Sequence, residues 1–275
     1  MLPPGVQPLS AWPLEARRNL VGVFTDIDDT LTTHGDITPD ALQALMGLKE
    51  AGLYVIAITG RPIGWCELPA KGDALNDIAP WPLDAVVAEN GAVAWVGTRH
   101  RHKIYQQDGA TRTHNQRRIR DIGERILRDV PGAQITRDSV GRETDLAIDA
   151  AEFCQLSPEQ IAQVVAIMEA EGMHTTVSSI HIHGCFGLFN KWQGACWIAQ
   201  ELLGMSLPSD KARWAFTGDS GNDVAMFEHL DNSIGVANLL PSVHRLSHLP
   251  RFITPSARGA GFAEVAAAIL QAHQA

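Results

Sequence analysis

Short apolar runs that end in acidic loops, each followed by an amphipathic stretch, set the rhythm of this chain. Val21-Gly22-Val23-Phe24-Thr25-Asp26 reads as a buried strand running into an acidic loop. Over residues 39–51, Leu42, Leu45, Met46 and Leu48 recur at helical spacing, with Thr38 as N-cap and Gly52 as stop. Residues 53–58 (LYVIAI) form an unbroken apolar run, as a parallel strand buried on both faces requires. Residues 84–88 predict a third strand, and 92–96 a fourth beyond the Asn90-Gly91 turn signal. Strand, helix and strand at this spacing predict right-handed βαβ units and an α/β sheet.

The rhythm returns near the other end. Residues 191–203 place Trp192, Ala195, Cys196, Ala199 and Leu202 on one helical face. Residues 213–217 predict a strand ending at Gly218-Asp219, 224–230 a helix, 233–237 and 252–254 short strands, and 261–271 a closing helix. The middle differs. Residues 99–128 hold nine Lys/Arg against three Asp/Glu, and Ile119, Ile122, Ile126, Leu127 and Val130 make a narrow stripe on a basic helix. Residues 145–149 (DLAID) and 175–182 read as strands, and 157–171 as a helix opened by Ser157-Pro158. The pattern therefore predicts a core built from residues 1–91 and 186–275, divided by an α+β insert at 92–185.

Composition narrows the function classes. The chain has 275 residues, 45% of them hydrophobic and 19% charged, an ordinary globular balance. A formal charge of −9 argues against a nucleic-acid partner, whose phosphates it would repel. No apolar run approaches the roughly 20 residues of a membrane span. Four prolines in the first thirteen residues, with no apolar h-region, argue against a secretory signal, so a cytoplasmic location is expected. Cys66, Cys154, Cys185 and Cys196 show no metal-ligand spacing and read as inert thiols.

The chemistry concentrates where strands end. In Asp26-Ile27-Asp28-Asp29-Thr30, Asp26 and Asp28 sit two apart and project to one side. Carboxyl ends of parallel strands are where α/β proteins bind ligands. Like charges crowded there call for a cation or a shared proton. Gly218-Asp219-Ser220-Gly221-Asn222-Asp223 follows a second apolar strand. Asp26, Asp28, Asp219 and Asp223 can converge into an oxygen cage for a hard cation such as Mg²⁺. Thr59-Gly60-Arg61 ends another strand with a hydroxyl and free amides, suited to phosphate, and Lys191 opens a helix.

This ordered set resembles the haloacid dehalogenase superfamily of phosphohydrolases: DxDxT at Asp26–Thr30, Thr59, Lys191, then GDxxxD at Gly218–Asp223. An insert between the second and third motifs resembles that superfamily's type IIB cap, and Glu89-Asn90-Gly91-Ala92 is similar to its ENGA segment at the core-to-cap crossing. Within type IIB the chain is similar to sucrose-phosphate and mannosyl-3-phosphoglycerate phosphatases. The resemblance implies a Rossmann-like parallel-sheet core with an inserted C2B cap, acting as an Mg²⁺-dependent phosphomonoester hydrolase on a small phosphorylated substrate. It implies Asp26 as nucleophile, Asp28 as acid and base, and Thr59, the Gly60 amide and Lys191 as phosphate holders. Mg²⁺ would be held by Asp26, the Asp28 carbonyl and Asp219, with Asn222 and Asp223 orienting Lys191 and the metal waters. Two features depart from the pattern. Trp192 rather than glycine follows Lys191, and Lys211 is the only other lysine between the insert and GDSGND.

Substrate contact is expected from the second unit and its crossing, with Arg61, Asn90, Arg142, His181 and His183 as candidates. Arg142 can grip a carboxylate or sugar, or pair with Glu143 or Asp145. His181 and His183 share one strand face, directed either at the cleft or at water; no third ligand makes them a zinc site. Arg99-His100-Arg101-His102-Lys103 either draws an anionic substrate or guards a sheet edge with charge. The same aspartyl-phosphate chemistry would serve a phosphomutase or phosphotransferase, and a sugar-phosphate sensor would share the pocket. A receiver-type signalling domain also joins paired acids, Thr and Lys around Mg²⁺, but it requires neither Asp28 as a general acid nor a cap. Nothing in the sequence sets the oligomeric state.

Overall fold

In the computed structural model, which describes residues 2–66, 81–97, 102–178 and 180–274, both halves of the chain contribute strands to one large sheet. In chain order the strands are β1 (Gln7–Pro8), β2 (Gly22–Thr25), β3 (Thr32–Thr33), β4 (Asp36–Ile37), β5 (Tyr54–Ile58), β6 (Ala85–Ala88), β7 (Val93–Val96) and β8 (His102–Tyr105). There follow β9 (Gln134–Ile135), β10 (Asp145–Asp149), β11 (His174–Val177), β12 (His181–Cys185), β13 (Trp214–Gly218), β14 (Asn232–Gly235) and β15 (Phe252–Ile253). The helices are α1 (Leu14–Arg18), α2 (Pro39–Glu50), α3 (Gly109–Asp129), α4 (Pro158–Ala170), α5 (Lys191–Leu203), α6 (Leu207–Asp210), α7 (Val224–His229) and α8 (Arg258–Gln274). Among the described residues the large sheet has the order β1-β15-β14-β13-β2-β5-β6-β7-β8. Every pairing from β1 to β6 is parallel; β7 and β8 are antiparallel additions at the edge.

Strand alternation explains the apolar runs. Val23 of β2 and Val55 and Ala57 of β5 face α2 and α8, while Phe24, Ile56 and Ile58 face α5 and α7. A strand with cores on both sides has no polar face to show. On α2 the packed residues are Ala41, Ala44, Leu45 and Leu48; Met46, expected on that face, is 49% exposed because it lies off the arc they define. The Pro-rich leader is also structural. Gln7–Pro8 pairs with Phe252–Ile253, and buried Trp12 donates from Nε1 to Asn232 Oδ1 at 3.0 Å.

A second sheet, ordered β11-β12-β10-β9, carries α3 and α4 on one face. Ile122, Ile126, Leu146, Ile148, Val164, Met168 and Ile182 fill that interface. The single strand expected over 175–182 is a hairpin, because Ser178 Oγ accepts from the His181 amide at 2.9 Å and turns the chain. The expected unit boundary at residue 92 also moves. β7 and β8 extend the large sheet, so the separate unit starts beyond Tyr105. An antiparallel strand with a normal alternation carries no mark of which sheet it joins. Of the basic run 99–103, residues 99–101 lie outside the described residues; His102 opens the edge strand β8, and Lys103 bonds Glu143 at 2.6 Å.

The cap is tied to the core by buried charge. Glu89, in a left-handed conformation (φ 50°) just past β6, accepts from the Ile63 amide at 3.1 Å, the Glu143 amide at 3.0 Å, and the amide and hydroxyl of Thr144. Burial pushes its carboxyl up to about 7, with the Asp145 charge adding to the effect and Thr144 and Arg142 opposing it. An amide at this position supplies one acceptor oxygen where two are used. Glu89→Gln is therefore expected to cost about 2–4 kcal/mol in denaturant unfolding, with faster proteolysis within 106–185. An unchanged midpoint with unchanged cleavage would show that Glu89 does not bear on the cap–core joint.

Candidate active site

Four strand ends bring the site together. β2 passes into Asp26–Thr30, β5 into Thr59–Gly60, β6 into Glu89–Gly91 and β13 into Asp219–Asp223. The Asp26 amide donates to Thr217 O at 2.9 Å, which holds the two acidic loops side by side. Ile27 is fully buried and its carbonyl accepts from the amides of Thr30, Leu31 and Thr32, a tight turn with Asp29 at φ 56°. Asp26 and Asp28 are thereby thrown out on the cleft side of this turn.

Lys191 is the centre of the cluster. It opens α5, whose N-cap Asn190 accepts from the Gln193 amide at 2.9 Å, and its side chain is 0% exposed. Its Nζ donates to Asp26 Oδ1 at 2.5 Å and to Asp223 Oδ1 at 2.6 Å. Burial alone would favour a neutral amine, but the carboxylates of Asp223 and Asp26 outweigh it and hold the ammonium charged. Lys211 is exposed, 3.8 Å from Asp231, and takes no part. The small residue missing after Lys191 turns up one turn along. Gly194 packs against Gly91, where a Cβ would meet Asn190 O at 2.8 Å and Gly194 Cα at 3.1 Å. Gly91 also has φ 120°, so this contact brings α5 and the 89–91 turn together by glycine at both ends. Trp192 instead packs into the core, its ring 4.7 Å from that of His229.

The second acidic loop is locked from within. Asp223 Oδ2 accepts from the amides of Asp219 (2.8 Å) and Ser220 (2.9 Å) while Oδ1 faces Lys191. A Cβ on Gly218 would stand 2.5 Å from Asp223 Oδ2, so only glycine admits this approach. Asp219 Oδ2 accepts from Asn238 Nδ2 at 2.8 Å, and the same amide reaches the Asp29 carbonyl at 3.0 Å. Asn238, in a 3₁₀ stretch with no distinguishing pattern, is a site residue that sequence reasoning missed. Asn222 does not touch Lys191 as expected; it bonds Asn90 Oδ1 at 3.3 Å and accepts from Ser220.

Three carboxylates here face one ammonium. Carboxylate oxygens of Asp26, Asp219 and Asp223 lie within 4.8 Å of one another. Burial, with the charges of Asp223 and Asp28, pushes Asp26 up to about 7 against the pull of Lys191. Burial and the Asp26 and Asp223 charges raise Asp219 well above the usual carboxylate range. Asp223 has both oxygens in use, whereas Asp26 and Asp219 each keep one oxygen outside the hydrogen bonds named here. That donor set, all oxygen and short of positive charge, fits a hard divalent cation.

The residues expected to hold phosphate stand at the end of β5. Thr59 is buried and its Oγ1 accepts from the Arg61 amide at 3.0 Å. Arg61 itself clasps Asp28 through Nε (3.0 Å) and Nη2 (2.9 Å) and reaches Asp138 at 3.6 Å. Asn90, expected at the substrate, is buried with φ 53°, its side-chain amide beside Gly60 and its Oδ1 accepting from Asn222. Arg142 is likewise not a free grip. Its guanidinium is 3% exposed and donates to Asp145 (3.0 and 3.1 Å), to Asp138 (3.3 Å) and to the Gly60 carbonyl (3.0 Å). Of the two readings for Arg142, pairing with Asp145 prevails because i,i+3 neighbours meet across this turn. His181 and His183 do line the cleft, with Ser178 and Ile180 from the cap and Asp26, Asp28, Gly60, Arg61, Asp219 and Ser220 from the core. The space enclosed is about 80 Å³.

Residues 23–128 match the family model of haloacid dehalogenase-like hydrolases. No curated protein sequence matches the chain. Solved structures share the fold over nearly its whole length. The sucrose-phosphatase from Synechocystis sp. PCC6803, solved with sucrose and phosphate, is 19% identical with a TM-score of 0.63, covering 92% of this chain and 98% of that one. A Thermoplasma acidophilum protein is 16% identical with a TM-score of 0.68 (91% and 98% covered). A sugar phosphatase of haloacid dehalogenase subclass IIB is 15% identical with a TM-score of 0.62 (92% and 98% covered). The mixed α/β fold expected from the pattern is borne out, as is the resemblance drawn from the motifs.

Proposed function

Taking the chain as a haloacid dehalogenase-like hydrolase, we propose that it is an Mg²⁺-dependent phosphomonoester hydrolase working through an aspartyl-phosphate on a small sugar-phosphate-like substrate. The observation that carries this reading is Lys191, fully buried and bonded to Asp26 and Asp223 where two parallel strands end. A lysine committed to a nucleophile and its neighbour at a strand end serves charge build-up on a bound phosphoryl group. The two additional carboxylates, Asp28 and Asp219, supply the remaining parts.

In this reading the free oxygen of Asp26 attacks phosphorus and the ester P–O bond breaks. The leaving oxygen takes the proton of Asp28, which then removes a proton from water as that water attacks the aspartyl-phosphate and frees Asp26 and phosphate. Thr59, the Gly60 amide and Lys191 hold the phosphoryl oxygens. Asp26, Asp219 and the Asp28 carbonyl would hold Mg²⁺, which when bound neutralises charge on the phosphoryl oxygens. Asp223 and Asn238 keep Lys191 and Asp219 in place. Arg61 must release Asp28 for the proton to move, and an arriving phosphate dianion offers it a second anionic partner. A cleft of about 80 Å³ holds a few waters rather than a sugar phosphate, so the cap swings out to admit substrate, with 90–91 and 184–190 as hinges.

The test is phosphate release from a panel of sugar phosphates, p-nitrophenyl phosphate and phosphoglycerate conjugates, with Mg²⁺ and with EDTA. Release that needs the metal supports the proposal; none from any member with folded protein rejects it. Protons compete with the cation for Asp26, whose carboxyl sits at about 7. Asp219, also raised, holds a second competing proton, so Mg²⁺ affinity is expected to rise by at least about tenfold per unit between pH 5 and 7. A flat profile in calorimetric titration would exclude Asp26 as a ligand.

A further inference from the structure

On the cleft-facing side of the cap sheet, β10 and β12 pair so that Asp145, Ala147 and Asp149 stand beside Cys185, His183 and His181. His183 is 6% exposed, and its Nδ1 lies 3.0 Å from Asp145 Oδ2. An ionised carboxylate only accepts, so Nδ1 carries the hydrogen and a neutral ring leaves Nε2 as an acceptor. Asp145 is kept ionised by its surroundings: burial opposes this, but Arg142 and the His183 bond outweigh it and lower its carboxyl. Burial and the Arg142 charge in turn lower His183, against the pull of Asp145, and keep the ring neutral. Arg142 is itself anchored on the Gly60 carbonyl of the core, so the chain Gly60–Arg142–Asp145–His183 spans both units.

The free nitrogen of this chain lies over Gly60, beside the Asn90 amide, in the cleft that Asp26 and Asp28 also line. A Cβ built on Gly60 would stand 3.4 Å from His183 Nε2, which places Nε2 over the residue that follows Thr59. Nε2 has no hydrogen-bond partner among the described residues, and the ring lines the same cleft as Asp26 and Asp28. His181, beside it at 5.8 Å between centroids, has its Nε2 taken by Glu152 at 2.7 Å. The cap wall of the cleft is therefore Ser178, Ile180, His181 and His183, with no Lys or Arg among its described residues. Arg61, on the core side, is paired with Asp28 and Asp138 and, in the mechanism above, turns to the phosphate rather than to the neighbouring carbon.

We propose that His183 is a specificity-determining residue. Its Nε2, presented as an acceptor by the positioning residues Asp145 and Arg142, receives a hydroxyl hydrogen on the carbon next to the phosphoester. The wall thus selects phosphates that carry this hydroxyl, and it rejects leaving groups with a carboxylate at that carbon, which would set oxygen lone pairs against a nitrogen lone pair. This rests on the phosphatase reading above and divides phosphates with a hydroxyl on the neighbouring carbon from phosphoglycolate-type substrates with a carboxylate there.

Three matched substrates test it: glycerol 3-phosphate, 3-hydroxypropyl phosphate, which lacks the neighbouring hydroxyl, and phosphoglycolate, which carries a carboxylate there. Wild-type enzyme is expected to favour glycerol 3-phosphate by at least about tenfold in kcat/KM over both others. In His183→Phe that preference is expected to collapse to within about threefold, through KM more than kcat. In Asp145→Asn the amide oxygen turns to Arg142 and its NH₂ to Nδ1, so the ring proton moves to Nε2 and phosphoglycolate gains relative to glycerol 3-phosphate. Long-range ¹H–¹⁵N spectra of the wild type, independent of turnover, are expected to show His183 with its proton on Nδ1. A proton on Nε2, a preference for phosphoglycolate, or a preference undiminished in His183→Phe overturns the proposal. If His183→Phe does not fold, the wild-type ratios, the spectra and Asp145→Asn still decide it. Release from p-nitrophenyl phosphate without discrimination among the three defeats this inference alone; no release even from p-nitrophenyl phosphate defeats the phosphatase reading as well.

Discussion

Replacing Asp26 by asparagine is expected to lower phosphate release by on the order of 10⁴-fold or more and, in EDTA above neutral pH, to raise the melting temperature. The two effects have one cause. Asp26 is a buried carboxylate facing Asp219 and Asp223, with Lys191 to offset them. Its carboxyl goes from 3.8 unfolded to about 7 folded, so folding favours the protonated form. Stability is therefore full below about pH 4 and is lost as pH rises through 7. The asparagine variant lacks that slope, so its advantage appears at pH 8 and fades near pH 4. Mg²⁺ is expected to reverse the ranking, since in the proposed mechanism it binds the wild-type carboxylate. Calorimetric melting at both pH values, with and without Mg²⁺, checks this; a variant less stable than wild type at pH 8 in EDTA would show that Lys191 alone satisfies Asp26.

Lys191→Met is expected to be the most destabilising single change in the core. It removes the ammonium from between Asp26 and Asp223 and leaves these two buried carboxylates facing each other and half-buried Asp219. Stranding buried charge in this way costs about 3–5 kcal/mol, or about 10 °C in a domain of this size. Methionine matches the stem of lysine in volume, so the loss reads charge rather than packing. Mg²⁺ is expected to recover part of the midpoint without restoring turnover, since Lys191 would no longer meet the phosphoryl oxygens. Lys211→Met, at an exposed pair with Asp231, serves as the comparison and is expected to shift stability by less than about 0.5 kcal/mol. Equal melting of the two variants would remove Lys191 from the account.

Much of the site was legible because it is local. DxDxT and GDxxxD each sit within one loop at one strand end, and the apolar runs before them mark those ends. Lys191 was legible by its order along the chain, and its place beside Asp26 in the fold agrees. What could not be read was pairing across distance. Arg142 has the same letters whether it grips substrate or closes on Asp145, and only the turn at 138–145 decides. Asn238 reaches Asp219 from a stretch with no motif at all. Glu89 looked like part of a crossing segment; its four donors come from residues 63, 143 and 144, which meet only when the cap closes on the core. The strands at 93–96 and 102–105 alternate like any others, and the sheet they extend is chosen by their neighbours.

The order in which the parts become available during synthesis follows from the pairing of β2 with β13. The cap's strands and helices, from α3 to β12, are contiguous, so most of their contacts are with recent neighbours. The central sheet is the opposite case, since β2 is made early and waits for β13 on one side until residues 214–218 have emerged. Until then the Asp26 amide has no Thr217 carbonyl to meet, and Lys191 has no Asp223. A ribosome-bound chain therefore passes through a stage with the smaller sheet complete and the acidic strand ends unpaired, and the acidic cluster assembles only once the second half of the core arrives.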